Sequence, residues 1–444
     1  MAATPAANLD VETALSLAER RYADSRPRSR AQIERAKRVM PGGNTRTILF
    51  FQPFPVVIER SAGCRVWDID GNDYVDFLGE YTAGLFGHSD PIIKAAIQAA
   101  LDSGWVHGGH IEAETLLAEA LCARFPSLER VRFTNSGTEA NLMAITTARL
   151  HTKRSKVMVM RGGYHGGVLL FKTGTIPQNA PYPYVLGAFN DIGRTVAAIE
   201  ADAGDLACVL IEPMQGSSGC IPAEPDFLAA TRDACTKHGI VLIFDEVMTS
   251  RLAPGGLQEK HGVIPDMTTL GKYIGGGCSF GAFGGRGDIM SLYDPYRADA
   301  IAHAGTFNNN ALTMAAGVAA MTQVYTPERA RALNAAGDAL RTRLNGEAAK
   351  RDLPVQATGL GSMMNVHFHS GAIRDCDDAS ASSDTARGLF HIEMLERGFH
   401  IARRGMINLS LPMGAPEFDG LVAAFGDFLD AHARLIRSLP RVVI

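Results

Sequence analysis

The strongest constraint on the fold is an alternation, from about residue 91 onward, of helical stretches with short apolar runs. The runs that we predict as strands are Val131–Thr134, Lys156–Met160, Cys208–Glu212, Val241–Asp245, Thr268–Leu270 and Ala282–Gly284. Strands that alternate with helices form a mostly parallel sheet, and such sheets bind ligands at the carboxyl ends of their strands. We therefore predict an α/β fold with its chemistry in the loops that follow the strands.

Two further segments flank this region, so we predict domains at 1–90, 91–325 and 326–444. The first should contain an amphipathic helix at Asp10–Ser25, a β-rich stretch at Thr45–Ile58 and a hairpin at Val66–Asp76. The last should contain a helix at Pro327–Ala349, strands near Met363–Phe368 and Ile407–Leu411, and an exposed loop at Asp377–Thr385. This last segment reads as a separate α+β domain.

Composition excludes several classes of function. The 444 residues are 46% hydrophobic and carry a formal charge of -4, so the chain lacks the basic excess of a nucleic-acid-binding protein. Its apolar runs are too short to cross a membrane. The 7 cysteines contain no C-x-x-C pair and the 13 histidines lack metal-site spacing, so we predict no metal site. The first residues lack the basic segment of a signal peptide, and we expect a cytoplasmic protein.

A small polar turn joins the first predicted strand to a helical stretch that begins near Leu142. The turn contains Ser136, Gly137 and Thr138. Backbone N–H groups and the helix dipole converge at such a helix start, which makes it a binding site for an anion such as phosphate. The alternative is that Ser136 or Thr138 only caps the helix.

The apolar strand Val241–Phe244 ends in two adjacent acids, Asp245 and Glu246. A carboxylate at this position can stay ionised beside a cationic ring nitrogen and so keep that ring protonated. We choose Asp245 for this role. A metal ligand or a cap on the next helix remains an alternative for this pair of acids.

Lys272 follows a predicted strand and precedes the glycine run Gly275–Gly277. Lysines are usually solvated, so a lysine among apolar residues and glycines needs an explanation. Burial lowers the pKa of a lysine and makes its amine a nucleophile that can form a Schiff base. The alternative is a side chain that extends to the surface.

These features occur together in a pattern that resembles the class III aminotransferases, which are fold-type I enzymes that use pyridoxal 5'-phosphate. The segments that carry the resemblance are FTNSGTEANLMA (Phe133–Ala144), GGYHGG (Gly162–Gly167), IEPMQG (Ile211–Gly216), FDEVMTSR (Phe244–Arg251), TLGKYIGGG (Thr269–Gly277) and GTFNNN (Gly305–Asn310). They occur in the order found in the family and span nearly the whole chain. The resemblance implies a large domain around a mostly parallel sheet, and a small α+β domain formed by the N- and C-terminal segments.

The resemblance also implies roles for individual residues. Lys272 would carry the cofactor as a Schiff base and move protons, and Asp245 would pair with the ring nitrogen. The cofactor site would further include Ser136, Gly137 and Thr138 at the phosphate, Tyr164 and Val247 on the two ring faces, and His165 and Glu212 nearby. Thr306 would reach the phosphate from a partner subunit, so the protein would be a homodimer with shared active sites.

One local departure bears on the substrate. Many family members continue the acid pair with a glycine-rich run, whereas this chain reads VMTSRLAPGG. That sequence resembles more closely the branch of the family that contains glutamate-1-semialdehyde aminomutase and the β-amino-acid aminotransferases. The segment Pro41–Phe51, EYTAG (Glu80–Gly84), TSRLAP (Thr249–Pro254) and SFGAFGGR (Ser279–Arg286) resemble β-phenylalanine aminotransferases.

Two arginines are candidates for binding substrate carboxylates. Arg46 lies between a turn and an apolar aromatic run, where a guanidinium could hold a carboxylate with two hydrogen bonds. By resemblance, Arg46 binds the carboxylate of the amino donor, and Arg404 binds one carboxylate of a dicarboxylic acceptor. Arg403 is adjacent and could act instead, and either arginine could simply be solvated.

The resemblance implies an aminotransferase that moves the amino group of a β-amino acid, such as β-phenylalanine, to a 2-oxo acid by a ping-pong mechanism. The acceptor would be 2-oxoglutarate or pyruvate. An aminomutase would use the same cofactor residues without a second substrate. An ω-amino acid or amine transaminase would not need Arg46, and a non-catalytic binding protein would not need Lys272.

Overall fold

The computed structural model describes residues 10–439. Its α-helices are α1 Val11–Asp24, α2 Pro27–Ala36, α3 Pro91–Ser103, α4 Glu112–Arg124, α5 Gly137–Thr152, α6 Ile192–Ala201, α7 Pro225–His238, α8 Gly256–His261, α9 Gly287–Met290, α10 Ala311–Ala319, α11 Pro327–Lys350, α12 Cys376–Ser380, α13 Asp384–Glu396 and α14 Ala415–Arg437. Short 3-10 turns lie at Pro41–Gly43, Thr47–Leu49, Gly79–Thr82, Thr249–Leu252, Lys272–Gly275 and Ser291–Tyr293, and a π-helical turn at Ala320–Val324 extends α10.

The strands form four sheets. They are β1 Ile58–Ala62, β2 Arg65–Asp68, β3 Asp73–Asp76, β4 Arg130–Thr134, β5 Lys156–Met160, β6 Tyr184–Gly187, β7 Leu206–Ile211, β8 Met214–Gln215, β9 Ile221–Pro222, β10 Val241–Asp245, β11 Met267–Gly271, β12 Gly281–Gly285, β13 Gln356–Leu360, β14 Met363–His367, β15 Phe399–His400 and β16 Met406–Asn408. The largest sheet has seven strands in the order β4-β12-β11-β10-β7-β5-β6.

The seven-stranded sheet is parallel except for β12, which runs antiparallel to its neighbours β11 and β4. All residues of β7, β10 and β11 are buried, as expected for central strands that are covered on both faces. The predicted α/β fold with a mostly parallel sheet is therefore confirmed. The prediction missed β6, an edge strand preceded by Pro181 and Pro183, because prolines argue against a strand in the sequence.

The parallel arrangement brings the ends of several strands to one edge of the sheet. β4 leads into the turn at Ser136, β7 into Glu212, β10 ends at Asp245 and β11 leads into Lys272. Carboxyl ends of parallel strands are where open α/β sheets place their ligands. The residues that the sequence singled out as chemically active thus lie on one side of the molecule.

The two ends of the described chain meet in a smaller α+β part. β15 pairs in parallel with β3, so a C-terminal strand completes the N-terminal sheet β1-β2-β3-β15. Helix α1 packs against α13, and the strands β13, β14 and β16 form a separate three-stranded sheet. A small domain that both ends of the chain build agrees with the predicted fold class, while the boundaries at 90/91 and 325/326 stay a prediction.

Two local predictions are wrong. The stretch Thr45–Ile58 forms a 3-10 turn and an irregular segment, because Pro53 and Pro55 lack the N–H groups that a strand needs. Its Phe51 and Phe54 are buried against Tyr22, with ring centroids 5.7 and 5.3 Å from the Tyr22 ring.

The segment Asp377–Thr385 is the second wrong prediction, since it contains α12 rather than an exposed loop. The Asp375 side chain caps this helix by accepting hydrogen bonds from the N–H groups of Asp377 and Asp378. Ala379 and Ser382 are buried. The polar composition of the segment did not indicate this contact with the core, because small polar side chains occur both in exposed loops and in helices that pack on a core.

Among residues 10–439, the structure contains no helix with the length and apolar character that a membrane crossing needs. Over the same residues, no cluster of three or more His, Cys, Asp or Glu side chains is arranged to hold a metal ion.

Candidate active site

Asp245 is a buried acid at the carboxyl edge of the sheet. It is 4% exposed, and its Oδ2 atom lies 2.8 Å from Asn141 Nδ2 and 2.8 Å from His165 Nδ1. Its Oδ1 atom accepts a hydrogen bond of 3.0 Å from the N–H of Val247. Three donors therefore converge on this buried carboxylate. The side chain is thus prepared to face a cationic partner.

Asn141 was not singled out by sequence reasoning. Its Oδ1 atom accepts a hydrogen bond of 2.7 Å from Thr269 Oγ1, which directs its NH2 group at Asp245. The available signal was an asparagine inside the helical stretch that follows Gly137, because asparagine is unfavourable in a helix interior unless its side chain has a specific partner.

The second acid of the pair has a structural role. Glu246 is fully buried and accepts hydrogen bonds from the N–H groups of Leu257 and Gln258 at the start of α8. It also accepts from Thr249 Oγ1 at 3.1 Å. The helix-cap alternative therefore describes Glu246, and Asp245 remains the acid available to a ligand.

Lys272 begins the turn after β11 with a left-handed φ of 54°, a strained conformation for a residue other than glycine. Its side chain is partly buried, and its amine forms no hydrogen bond or ion pair with the described residues 10–439. Burial, helped by the nearby Arg404 charge, lowers the pKa of Lys272 to about 8. The neutral, nucleophilic fraction of this amine near physiological pH is therefore much larger than that of an ordinary lysine.

The turn before α5 has the shape expected of a phosphate site. Ser136 caps the helix by accepting a hydrogen bond from Glu139 N, so the capping alternative is correct for its side chain. A Cβ atom on Gly137 would lie 2.9 Å from both Cγ atoms of Val247, so only glycine lets this valine approach the helix start. Thr138 Oγ1 accepts a hydrogen bond of 3.2 Å from Gly167 N.

The glycines that follow His165 allow the same close approach on the other side of the turn. A Cβ atom on Gly166 would lie 2.2 Å from Thr138 Oγ1, and its φ of 129° already favours glycine. The segment that carries Tyr164 and His165 is thus joined directly to the helix start. Val247 occupies the neighbouring position, 3.1 Å from where a Cβ atom on Gly271 would be.

Glu212 supports the segment that carries Tyr164. Its carboxyl group accepts hydrogen bonds from Tyr164 N at 2.9 Å and from Gly216 N at 3.1 Å. Burial raises the pKa of Glu212 to about 7. The Tyr164 side chain itself is 42% exposed, which leaves an aromatic ring open for stacking.

The cofactor that the resemblance implies fits these residues. The glycine-lined helix start of α5 suits a phosphate, and the Asp245 carboxylate suits a protonated ring nitrogen. The unpaired amine of Lys272 suits an aldehyde. The buried Nε2 atom of His165 has no partner among residues 10–439, so this network still has an unused donor or acceptor.

Arg46 and Arg404 both lie near Lys272, since the charge of each lowers the pKa of that lysine. Arg46 forms an ion pair with Glu80, and both side chains are about half exposed. Arg404 Cζ lies 4.9 Å from the centre of the Tyr81 ring. The structure therefore gathers two cations and one acid beside the reactive amine.

Arg404 and Arg403 differ in their partners. Arg403 Nη2 lies 3.0 Å from Asp384 Oδ2 in an ion pair. Arg404 forms no ion pair with the described residues, and its Nη2 atom contacts Met406 Sδ at 3.1 Å. Arg404 thus keeps its charge available for a ligand, which the sequence alone could not decide.

A groove of about 410 Å³ runs from Arg404 along the N-terminal segment. Apolar side chains on one wall include Ile48, Phe50 and Phe51, with Tyr81 beside them. Ile48 and Phe50 are 46% and 39% exposed, so they offer apolar surface to a ligand.

Thr306 is exposed on a turn next to Phe307, whose ring is 58% exposed. The turn lies close to the helix start of α5, because Asn308 Oδ1 accepts a hydrogen bond of 3.0 Å from Asn135 Nδ2. The predicted role of Thr306 at the phosphate of a partner subunit stays a prediction.

The lowered pKa of Lys272 predicts a pH dependence. Only the neutral amine attacks an aldehyde, so the rate at which cofactor-free protein takes up pyridoxal phosphate should rise with pH and level off above about 8, well below the ordinary 10.5. Stopped-flow absorbance measures this rate, with Lys272→Ala as the blank and a lysine peptide as the reference for the titration of pyridoxal phosphate itself. A midpoint that coincides with that of the peptide would contradict the lowered pKa.

Comparison with known proteins agrees with this geometry. The model of the family "Aminotransferase class-III" matches residues 51–406. The chain is 49% identical to a β-phenylalanine transaminase from Variovorax paradoxus, over 97% of this chain and 98% of that one. A crystal structure of a β-phenylalanine aminotransferase from that organism superposes with a TM-score of 0.94 and covers 96% of this chain and 99% of that one.

Two other relatives have a lower sequence identity to this chain. A glutamate-1-semialdehyde 2,1-aminomutase from Sorangium cellulosum is 38% identical over 85% of this chain and 90% of that one. The structure of a transaminase with PLP bound is 34% identical, has a TM-score of 0.85 and covers 93% of this chain and 99% of that one. The chain therefore belongs to the class-III aminotransferase family, and it is a transaminase that depends on pyridoxal 5'-phosphate.

Proposed function

We propose that this enzyme transfers the amino group of an aromatic β-amino acid, such as β-phenylalanine, to a 2-oxo acid such as 2-oxoglutarate or pyruvate. The observation that carries this proposal is the placement of Arg46 and Arg404 beside Lys272, next to an apolar groove. The Variovorax paradoxus relative, named a β-phenylalanine transaminase, supports the same substrate class.

When bound, pyridoxal phosphate supplies an aldehyde that takes up the amino group and a ring that withdraws electrons from the bond being broken. The proposed role of Asp245 is to hold a proton on the ring nitrogen through its ionised carboxylate. Ser136, Gly137 and Thr138 would bind the phosphate through the helix start. Tyr164 and Val247 would pack on the faces of the ring, while His165 and Glu212 hold Asp245 and Tyr164 through hydrogen bonds.

Lys272 has the central proton-transfer role. Its Nζ atom removes the proton from the substrate carbon that bears the amino group. A pKa of about 8 makes the neutral, basic fraction of the amine at physiological pH far larger than that of a lysine with the ordinary pKa of 10.5. The same amine would hold the cofactor through its aldehyde before the first half-reaction and again after the second.

Arg46 orients the donor in this proposal. A guanidinium binds a carboxylate with two charge-assisted hydrogen bonds, which fixes the direction of the molecule as well as its position. Ile48 and Phe50 then contact the aromatic substituent. A substrate that lacks the carboxylate loses the first contact but keeps the second.

Replacing Arg46 tests this assignment of the donor carboxylate. Arg46→Ala should raise the KM for β-phenylalanine about thirtyfold or more, because a charge-assisted pair contributes roughly 2–3 kcal/mol. Steady-state kinetics with saturating acceptor measures the effect, and the exposed Arg28→Ala is the control. Unchanged kinetics in Arg46→Ala would instead favour an amine or ω-amino acid transaminase.

The two adjacent arginines give a matched test of the acceptor site. Arg404→Ala should raise the KM for 2-oxoglutarate about tenfold, since it removes the unpaired cation. Arg403→Ala should leave that KM within about twofold, because Arg403 is already paired with Asp384. An equal rise of the KM for 2-oxoglutarate in the two variants would contradict the assignment of the acceptor carboxylate to Arg404.

The similarity to glutamate-1-semialdehyde 2,1-aminomutases favours an isomerase as the second candidate. An isomerase returns the amino group to the same carbon skeleton and needs no 2-oxo acid. The exposed Ile48 and Phe50 side chains in the groove beside Arg404 suit an aromatic substituent better than the short polar chain of glutamate semialdehyde. The transaminase proposal therefore stands first.

We propose in addition that the enzyme is a cytoplasmic homodimer whose subunits share their active sites. Exposed apolar side chains at Trp105, Val106 and Phe307 support an interface. Asn309 Nδ2 donates to Gly109 O at 3.3 Å, so these side chains lie on two segments that are in contact. Thr306 beside Phe307 would then reach the phosphate of the other subunit. All seven cysteines are unpaired, as expected in a reducing compartment.

Mixing two inactive variants tests the shared site. Lys272→Ala and Thr306→Glu each disable one contribution, so a heterodimer of the two contains one intact site. An equal mixture after subunit exchange should regain about a quarter of the wild-type activity, because half the dimers are mixed and each has one site of two. Heterodimers that form without regaining activity would show that Thr306 serves its own subunit.

A further inference from the structure

Arg251 is a fully buried cation without an acidic partner. Its side chain is 0% exposed, and it forms no ion pair with the residues at 10–439. Its Nε atom donates to Ser362 Oγ at 3.0 Å, its Nη1 atom to Thr82 O at 3.3 Å, and its Nη2 atom to Leu409 O. Burying an unpaired charge destabilises the folded protein, and these three hydrogen bonds offset that cost. The presence of a charged residue at this position therefore calls for a functional explanation.

The backbone of Arg251 is fixed as well as its side chain. Its carbonyl oxygen accepts hydrogen bonds from Tyr325 Oη at 2.6 Å and from Asn334 Nδ2 at 2.8 Å. The residue lies six positions after Asp245 along the chain. Arg251 therefore joins the loop that follows Asp245 to four segments that are distant in sequence, those of Thr82, Tyr325–Asn334, Ser362 and Leu409.

One of these segments, the turn Gly79–Thr82, is strained. Its four residues Gly79, Glu80, Tyr81 and Thr82 have φ values of 53°, 49°, 50° and 83°. Left-handed conformations of residues other than glycine persist only where the surroundings hold them. Arg251 binds the carbonyl at the C-terminal end of this turn, so it supplies one of those constraints.

The N-terminal end of the turn has its own anchors. Asp76 Oδ1 accepts hydrogen bonds from Leu78 N at 3.0 Å and from Gly79 N at 3.1 Å. Asn408 Nδ2 donates to Leu78 O at 2.8 Å. With Arg251 at the other end, both sides of the strained turn are held by buried side chains.

The turn carries two residues that touch the substrate arginines. Glu80 forms the ion pair with Arg46. Tyr81 donates from its hydroxyl to Ile48 O at 2.8 Å, and its ring lies under Arg404 at 4.9 Å. A shift of the turn would therefore move both cations relative to Lys272.

We propose that Arg251 is a positioning residue for substrate carboxylates: it holds the Gly79–Thr82 turn, which in turn places Arg46 and Arg404 beside Lys272. Two sequence motifs, EYTAG (Glu80–Gly84) and TSRLAP (Thr249–Pro254), thereby act as one unit. The inference rests on the proposed binding of a carboxylate at Arg46. It assigns Arg251 no contact with substrate or cofactor.

The test compares the holoenzyme with Arg251→Lys, which keeps the charge but cannot reach all three acceptors in one plane. The probe is 3-phenylpropanoate, which has the aromatic ring and carboxylate of the donor but no amino group. Its inhibition constant and the KM for β-phenylalanine should both rise about tenfold, while kcat changes less than about threefold. The affinity for pyridoxal phosphate and the visible spectrum should stay as in the wild type.

Arg124→Lys is the matched control, because Arg124 also bonds backbone carbonyls, those of Pro254, Met321 and Tyr325, but does not touch the turn. It should leave the inhibition constant unchanged even if it lowers the unfolding temperature. If Arg251→Lys does not fold, Ser362→Ala loosens the same guanidinium and should raise the inhibition constant about threefold.

The outcomes separate this inference from the proposed function. A wild-type enzyme that does not bind 3-phenylpropanoate would refute the carboxylate site itself. Normal binding by the wild type and by Arg251→Lys would refute the positioning role. Loss of cofactor affinity in step with probe affinity would also refute it, because that result describes general destabilisation.

Discussion

The hydrogen-bonded Asp245 carboxylate is the interaction on which the rest of the site depends. Asn141, His165 and the N–H of Val247 hold it from three directions. Thr269 fixes Asn141 in turn. The three donors come from α5, from the segment after β5 and from the loop after β10, and Thr269 connects β11 to them through Asn141, so one buried acid joins the elements that surround the cofactor site. Loss of one donor would leave the buried Asp245 carboxylate with incomplete hydrogen bonding.

Charge is divided across the site in a way that suits amino-group transfer. Asp245 and Glu212 lie on the side of Tyr164, and the unpaired Arg404 and the Arg46–Glu80 pair lie on the groove side. Burial and the Arg404 charge lower the pKa of Lys272. An amine with a lowered pKa can serve both to hold the cofactor and as a base.

The sequence predicted the sheet and its catalytic edge because the strands are short, apolar and followed by polar turns. Asp245, Lys272 and the Ser136–Thr138 turn could be found in this way, since each signal is local. Asn141 could not be assigned, because its partner Asp245 is 104 residues away. The contact of Arg251 with Thr82 spans 169 residues and had no local signal. The helix at Cys376–Ser380 was missed because burial of small polar residues is decided by tertiary packing.

The most direct measurement of the central claim is the absorption spectrum of the purified enzyme before and after addition of β-phenylalanine in the absence of any 2-oxo acid. The account predicts that the visible band of the lysine-bound cofactor falls while the band of the aminated cofactor rises, and that 2-oxoglutarate or pyruvate reverses the change. A visible band that does not respond to β-phenylalanine would contradict the proposed substrate class and leave the cofactor assignment intact.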